Sequence, residues 1–276
     1  MVTRKDYTAE AVEAAYSVLI ELMHALGEHR ENIVLIGGWV PDILLGEMVE
    51  PHVGSIDIDL ALDHRKIKAE GYRTIRELLT SMGYKEGRQP FIFERKVKMG
   101  EKEIIVEVDF LAGEYEGTGE KHRHQKIQEQ DMRPRKARGA DLVFDNPKEV
   151  TMEGRLPDGG EDSVKVRVAS IVPFLVMKGM ALEDRLKEKD AWDICYCIKN
   201  YPGGIDALVE EFRPHVGHGL VKEGLEKIAK QFASEKHVGP KFVADFEELT
   251  DTEEREILER DAYEQVTFLL EKLGIK

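Results

Sequence analysis

The chain has 276 residues, 42% of them hydrophobic and 34% charged, with a formal net charge of −14. That length suits one large domain or two modest ones, each able to bury a core. No apolar run approaches the ~18 residues needed to span a bilayer, and the charged stretch from Met1 to Glu10 lacks the apolar run of a signal peptide. No membrane role is therefore expected. The two cysteines, Cys195 and Cys197, stand two apart in a segment read as helix. They point in different directions there and make a poor disulfide pair, so a reducing cytoplasm is the expected setting.

An acidic chain is not an obvious nucleic-acid binder, but the charge is unevenly spread. From Lys121 to Arg138 seven Lys/Arg face two acids, a net of +5, with His122 and His124 beside them. No Cys/His set at metal spacing accompanies those histidines, which argues against zinc. The last 36 residues carry a net of −6.

In chain order, Val12, Ala15, Tyr16, Leu19, Leu22, Met23 and Leu26 recur at three- and four-residue steps, which predicts an amphipathic helix over 8–29. The apolar run 32–36 predicts a buried strand stopped at Gly37-Gly38. A short helix over 39–45 closes at Gly46, and a loop runs to Ser55. Residues 56–62 alternate acid and apolar at first, as a strand does. Asp63 is read as the cap of a helix reaching about Met82. Two strands, 91–98 and 103–111, join at Met99-Gly100, and short strands fill 141–168. From Ser170 the pattern becomes helical: 171–183, 187–200, 204–213, 219–235 and 252–273. Asp251 with Glu254 reads as a capping box for the last.

Two groups of residues carry chemistry. A strand ending in two glycines lets the backbone approach a ligand, and its amides can face phosphate oxygens. Asp57-Ile58-Asp59 on a strand projects both carboxylates from one face. Hard oxygen ligands on a rigid edge suit Mg²⁺ shared with triphosphate oxygens, with Mn²⁺ as an alternative. A third carboxylate is expected from the strand 104–111, where Asp109 is the choice and Glu107 the reserve. Asp-x-Asp alone reads as a solvated strand edge. The glycines before it, the flanking apolar runs and the later acidic strand change that reading, because buried charges need a cation or partner. The second group is helical: Lys178 in an apolar stretch, Arg185 two turns on, then Lys189, Asp190 and Asp193. By spacing alone, a snorkelling lysine with surface ion pairs accounts for these residues as well as a functional role does.

Ile36-Gly37-Gly38 and Asp57-Ile58-Asp59-Leu60 resemble the signature of the DNA polymerase β-type nucleotidyltransferase superfamily. The stretch from Gly37 to Gly46 also resembles the opening motif of tRNA CCA-adding enzymes, which carry Arg where this chain has Pro41. The spacing of Lys178, Arg185, Lys189, Asp190 and Asp193 is similar to a motif of the AbiEii-type nucleotidyltransferase toxins. With the first motif, the similarity covers roughly residues 30–200.

The resemblance implies an α+β fold: a nucleotidyltransferase-type mixed sheet flanked by helices over 1–168, then a helical domain over 169–276 that completes the active site. It implies an enzyme transferring a nucleoside monophosphate from a nucleoside triphosphate, as a toxin of a toxin–antitoxin or phage-defence system with an antitoxin partner. Asp57, Asp59 and Asp109 would hold the metal. Gly37, Gly38, Trp39, Ser55, Lys178, Arg185 and Lys189 would bind nucleotide, and Asp190 or Asp193 would order the site or serve as a base. RNA, a tRNA 3′ end met through 121–138, is the leading acceptor. A small molecule such as an antibiotic, or a protein side chain, is the second. An inactive nucleotide- or partner-binding module is the third reading, against which the intact carboxylate set argues.

Overall fold

The structure is a computed structural model, and it describes residues 2–46, 50–67, 69–113 and 134–275. The chain packs as two units: Thr8–Val40 with Gly54–Ser170, and Met1–Tyr7 with Pro41–Val53 and Ile171–Lys276. The fold is a mixed α/β architecture with an open mixed sheet flanked by helices.

The first unit holds the sheet. Helix α1 (Ala9–Ala25) precedes β1 (Ile33–Ile36), and α2 (Trp39–Leu45) leads the chain out of this unit. The unit resumes with β2 (Asp57–Leu62), α3 (Ala69–Ser81), β3 (Lys85–Glu86), β4 (Ile92–Met99) and β5 (Lys102–Ala112). Then come β6 (Arg135–Lys136), β7 (Lys148–Arg155) and β8 (Glu161–Val168). The strand order is β3-β4-β5-β2-β1-β8-β7, and β6 takes up the edge of β5 beyond the end of β4. β2 runs parallel to β5 and antiparallel to β1. One face of the central strands is apolar: Ile58, Leu60, Leu62, Val106, Val108 and Phe110 are all fully buried. Helix α1 packs on the sheet, and Glu21 on it receives both Arg95 Nε and Nη2 from β4 at 2.9 and 3.0 Å, with the Tyr84 hydroxyl at 2.9 Å. That bidentate, partly buried geometry makes a stronger tie than a surface ion pair.

The second unit is helical: α4 (Ile171–Arg185), α5 (Glu188–Asn200), α6 (Gly204–Phe212), α7 (Gly219–Gln231), α8 (Val238–Phe246) and α9 (Thr252–Lys272). Asp251 caps α9 by accepting from the amides of Glu253 and Glu254 at 3.0 Å each. Helices α4 and α7 meet through two glycines. A Cβ on Gly179 would lie 2.4 Å from the Gly224 carbonyl oxygen, and one on Gly224 would lie 2.9 Å from that of Val176.

Several expectations are corrected. The first helix closes at Ala25 and a 3-10 segment, Gly27–Asn32, follows it. Asp63 does not cap a long helix. Its Oδ1 accepts the Arg65 amide at 3.1 Å and its carbonyl accepts the amides of Lys66 and Ile67, so the chain turns before α3 begins at Ala69. β3 and β6 are two residues long, too short to show a period. Helix α8 is hidden in the sequence behind Gly239-Pro240, yet Pro240 sits in the first turn, where a missing N–H costs nothing. The segments Met1–Tyr7 and Pro41–Val53, read as part of the first half, belong with the helices.

Replacing Gly179 with Ala should destabilise the protein. Alanine's helix propensity gains about 1 kcal/mol, but overpacking against a backbone carbonyl costs typically about 1–3 kcal/mol. A lower thermal unfolding midpoint for Gly179→Ala than for the parent is expected.

Candidate active site

In the sheet unit, β2 and β5 pair in parallel with Asp57 opposite Glu107 and Asp59 opposite Asp109. Because side chains alternate along a strand, all four acids share one face, opposite the apolar one. Asp57 and Glu107 are exposed, and Asp59 and Asp109 are half-buried. Gly37 closes the site from β1. Its φ is +72°, and a Cβ there would lie 2.1 Å from Asp59 Oδ2. Only glycine meets both conditions. Gly38 follows in the turn that opens α2.

Two further candidates act on Asp57. The buried Ser55 hydroxyl donates to Asp57 Oδ1 at 2.5 Å. Trp39 is buried, packs against Tyr16 with ring centroids 5.6 Å apart, and donates its indole N–H to the Asp57 carbonyl at 2.9 Å. The tryptophan therefore fixes the start of β2 rather than offering a ring face to solvent.

Asp109 is held above the ordinary carboxylate range. Burial pushes it up to about 7 against the pull of Arg135, with the like charges of Asp59 and then Asp57 adding to the rise. Arg135 Nη2 donates to Asp109 Oδ2 at 2.7 Å, while the buried Asp109 Oδ1 has no hydrogen-bond partner among the described residues. The sequence presents Arg135 only as part of the basic segment. Nothing local distinguishes it, since its partner lies 26 residues away. The rest of that segment through Arg133, including Lys121, His122, Arg123, His124 and Lys126, lies outside the described residues.

In the helical unit the second group forms one cluster, buried at Lys178, Lys189, Asp190 and Asp193, with Arg185 at its exposed edge. Lys178 Nζ lies 2.8 Å from Asp190 Oδ1 and 2.6 Å from Asp193 Oδ2. Arg185 grips Asp190 through Nε and Nη2 at 2.7 and 2.8 Å, and Lys189 reaches Asp193 Oδ1 at 2.8 Å. Burial alone would lower the Lys178 pKa, and the carboxylates of Asp190 and Asp193 outweigh it and hold it above the lysine range. Burial alone would raise Asp193, and Lys178 and Lys189 hold it well below the carboxylate range. An acid held that firmly in its ionised form is no base poised near neutral pH. Sequence reasoning missed His52, whose Nε2 lies 2.9 Å from Asp193 Oδ1 and whose ring packs on Trp192 and Tyr196. Burial and Lys189 push His52 down to about 4, against Asp193, so it is neutral at pH 7.

The oxygen donors on the sheet fit a hard divalent cation. Mutual repulsion among the acids and an orphaned carboxylate oxygen are what such an ion would relieve. Among the described residues no three acidic, histidine or cysteine side chains already close on one point.

The sequence profile of a family described as "Nucleotidyl transferase AbiEii toxin, Type IV TA system" matches residues 22–268. The chain belongs to this family. It is a nucleotidyltransferase, and type IV toxin–antitoxin membership implies a cognate antitoxin and a nucleoside triphosphate substrate. No curated protein matches the chain in sequence. Among solved structures, JHP933 from Helicobacter pylori aligns at 14% identity and a TM-score of 0.46, over 97% of this chain and 94% of that one. MenT4, a nucleotidyltransferase toxin from Mycobacterium tuberculosis, aligns at 13% identity and a TM-score of 0.43, over 97% of this chain and 90% of that one. Among the described residues no helix is long and apolar enough to cross a membrane.

Two outcomes test these clusters. Folded Asp109 binds its proton up to about pH 7, whereas an unfolded aspartate releases it near pH ~3.9. The native state thus holds more protons between those values, and Asp109 costs stability as pH rises through that window. In EDTA, Asp109→Asn should melt above the parent at pH 8, with the gap shrinking toward pH 4. In the helical unit, Asp193→Ala removes the carboxylate that Lys178 and Lys189 share and should cost about 3–5 kcal/mol in chemical denaturation.

Proposed function

We propose that this AbiEii-family enzyme transfers a nucleoside monophosphate from a nucleoside triphosphate to an RNA acceptor, a tRNA 3′ end, and releases pyrophosphate. The observation that carries the catalytic part is the pairing of Asp59 with Asp109 beside Gly37. Asp57, Asp59 and Asp109 would hold Mg²⁺, or Mn²⁺ in its place, with Glu107 the reserve for the third position. When bound, the metal lowers the pKa of the attacking hydroxyl and neutralises charge on the leaving pyrophosphate. The half-buried Asp109, with Oδ1 lacking a partner, suits the ligand role better than exposed Glu107.

The chain's own groups do the positioning. Gly37 leaves Asp59 uncovered, Ser55 and Trp39 fix Asp57, and the amides of Gly37 and Gly38 are the candidate contacts for triphosphate oxygens. By family resemblance, Lys178, Arg185 and Lys189 supply cations for the nucleotide. Asp190 and Asp193, deeply ion-paired, suit the ordering role rather than that of a base. Support for a polyanionic acceptor is the net +5 of residues 121–138 in an otherwise acidic chain.

The test is incubation with labelled nucleoside triphosphates, Mg²⁺ and total tRNA. Label should enter tRNA, and Asp57→Ala or Asp59→Ala should abolish transfer. Label in a small molecule or in protein, with tRNA untouched, moves the acceptor to that class. No label anywhere, together with Asp57→Ala binding nucleotide as the parent does, defeats the proposal.

A further inference from the structure

Arg135 is framed independently of the acid it meets. The short strand β6 pairs with the end of β5, Leu111 opposite Arg135, and the Ala137 amide donates to the Ala112 carbonyl at 2.9 Å. Parallel pairing puts the Arg135 side chain on the same face as Leu111 and Asp109. Its guanidinium lies against the face of Phe91, 5.8 Å from the ring centroid, and the Phe91 carbonyl is itself tied to the Phe110 amide at 3.0 Å. Of the two Asp109 oxygens the guanidinium takes only Oδ2, and the buried Oδ1 has no hydrogen-bond partner among the described residues.

We propose that Arg135 is the positioning residue for Asp109: it holds Oδ2 and so presents Oδ1 to the divalent cation. The proposal rests on the reading of Asp57, Asp59 and Asp109 as the metal-holding set. Carboxylates that ligate metals are held by outer hydrogen bonds, and losing one typically costs metal affinity about 10–100-fold. The competing account makes Arg135 a cation that blocks the site until metal displaces it. The two accounts predict opposite signs. A blocking arginine weakens metal binding, so its removal tightens it. A holding arginine strengthens binding by fixing the ligand. Backbone pairing and ring contact on Arg135 favour holding, since both keep the guanidinium in place whatever Asp109 binds.

The test is titration of the full chain with Mn²⁺ alone, reading free Mn²⁺ by electron paramagnetic resonance. The variants are Arg135→Ala, Arg135→Lys, Asp109→Asn and Asp57→Ala, each checked for fold by circular dichroism. Arg135→Ala should weaken Mn²⁺ binding about 10–100-fold. Arg135→Lys should recover part of that loss, because an ammonium can hold one oxygen without the planar fork. Should Arg135→Ala fail to fold, Arg135→Lys carries the test, with weaker binding than the parent expected. Arg135 variants that bind Mn²⁺ as tightly as the parent, or more tightly, overturn the proposal. If Asp109→Asn and Asp57→Ala still lose Mn²⁺, the metal site itself survives that result. A parent that binds no Mn²⁺ overturns both.

Discussion

The register between β2 and β5 is the constraint on which the sheet unit depends. It places Asp57 beside Glu107 and Asp59 beside Asp109, although like charges opposite one another destabilise a sheet. The apolar face explains why the arrangement persists. Ile58, Leu60, Val106, Val108 and Phe110 are fully buried, and a slip of one residue would turn them outward. Burying side chains of that size is worth roughly 1.5–3 kcal/mol each. Cross-strand pairs are worth about 0.2–1 kcal/mol, so the core wins. The crowding of acids on the opposite face is the consequence, and it adds to the burial that raises Asp109.

The two charge clusters differ in how they resolve burial. In the helical unit each carboxylate meets two cations: Asp190 meets Lys178 and Arg185, and Asp193 meets Lys178 and Lys189. That set is internally compensated. On the sheet, four acids share a face on which Arg135 engages a single oxygen of one of them. Like charges gathered on a rigid strand face carry a cost, and a bound cation would reduce that cost. Perturbed carboxylates in such settings mark functional sites more often than structural ones.

How much was legible followed the range of the interactions. Gly37-Gly38, the Asp57-Asp59 strand and the acidic strand with Asp109 show in the sequence because each rests on a local period or a local breaker. The register joining them does not, since parallel pairing across 50 residues leaves no mark in either segment. Arg135 is legible as a positive charge but not as the partner of Asp109. Trp39 stands out as a ligand contact, yet its hydrogen bond to the Asp57 carbonyl gives it a scaffolding part that composition does not reveal. His52 escapes sequence reasoning altogether, because a lone histidine in a loop shows nothing of the buried aspartate it meets 141 residues on. The same holds for the units. Pro41–Val53 reads as the end of a short helix and a loop of the first half, and only packing between distant segments assigns it to the helices.

Charge distribution sets a condition on any polyanionic acceptor. The whole chain carries −14, so at low ionic strength its summed field repels RNA. At physiological salt exposed charges more than about 8 Å apart are largely screened, and the net +5 of residues 121–138 acts without most of that opposition. Affinity gained this way comes from counterion release and falls steeply with added salt. Under the proposed RNA acceptor, the basic segment would contact the backbone rather than read bases. On that proposal, selectivity for one acceptor end would come instead from how the attacking hydroxyl meets the acids of β2 and β5. Arg135 stands at the junction of those two tasks, since it belongs to the basic segment and contacts Asp109. A charge at that position acts first on the site and only second on the acceptor.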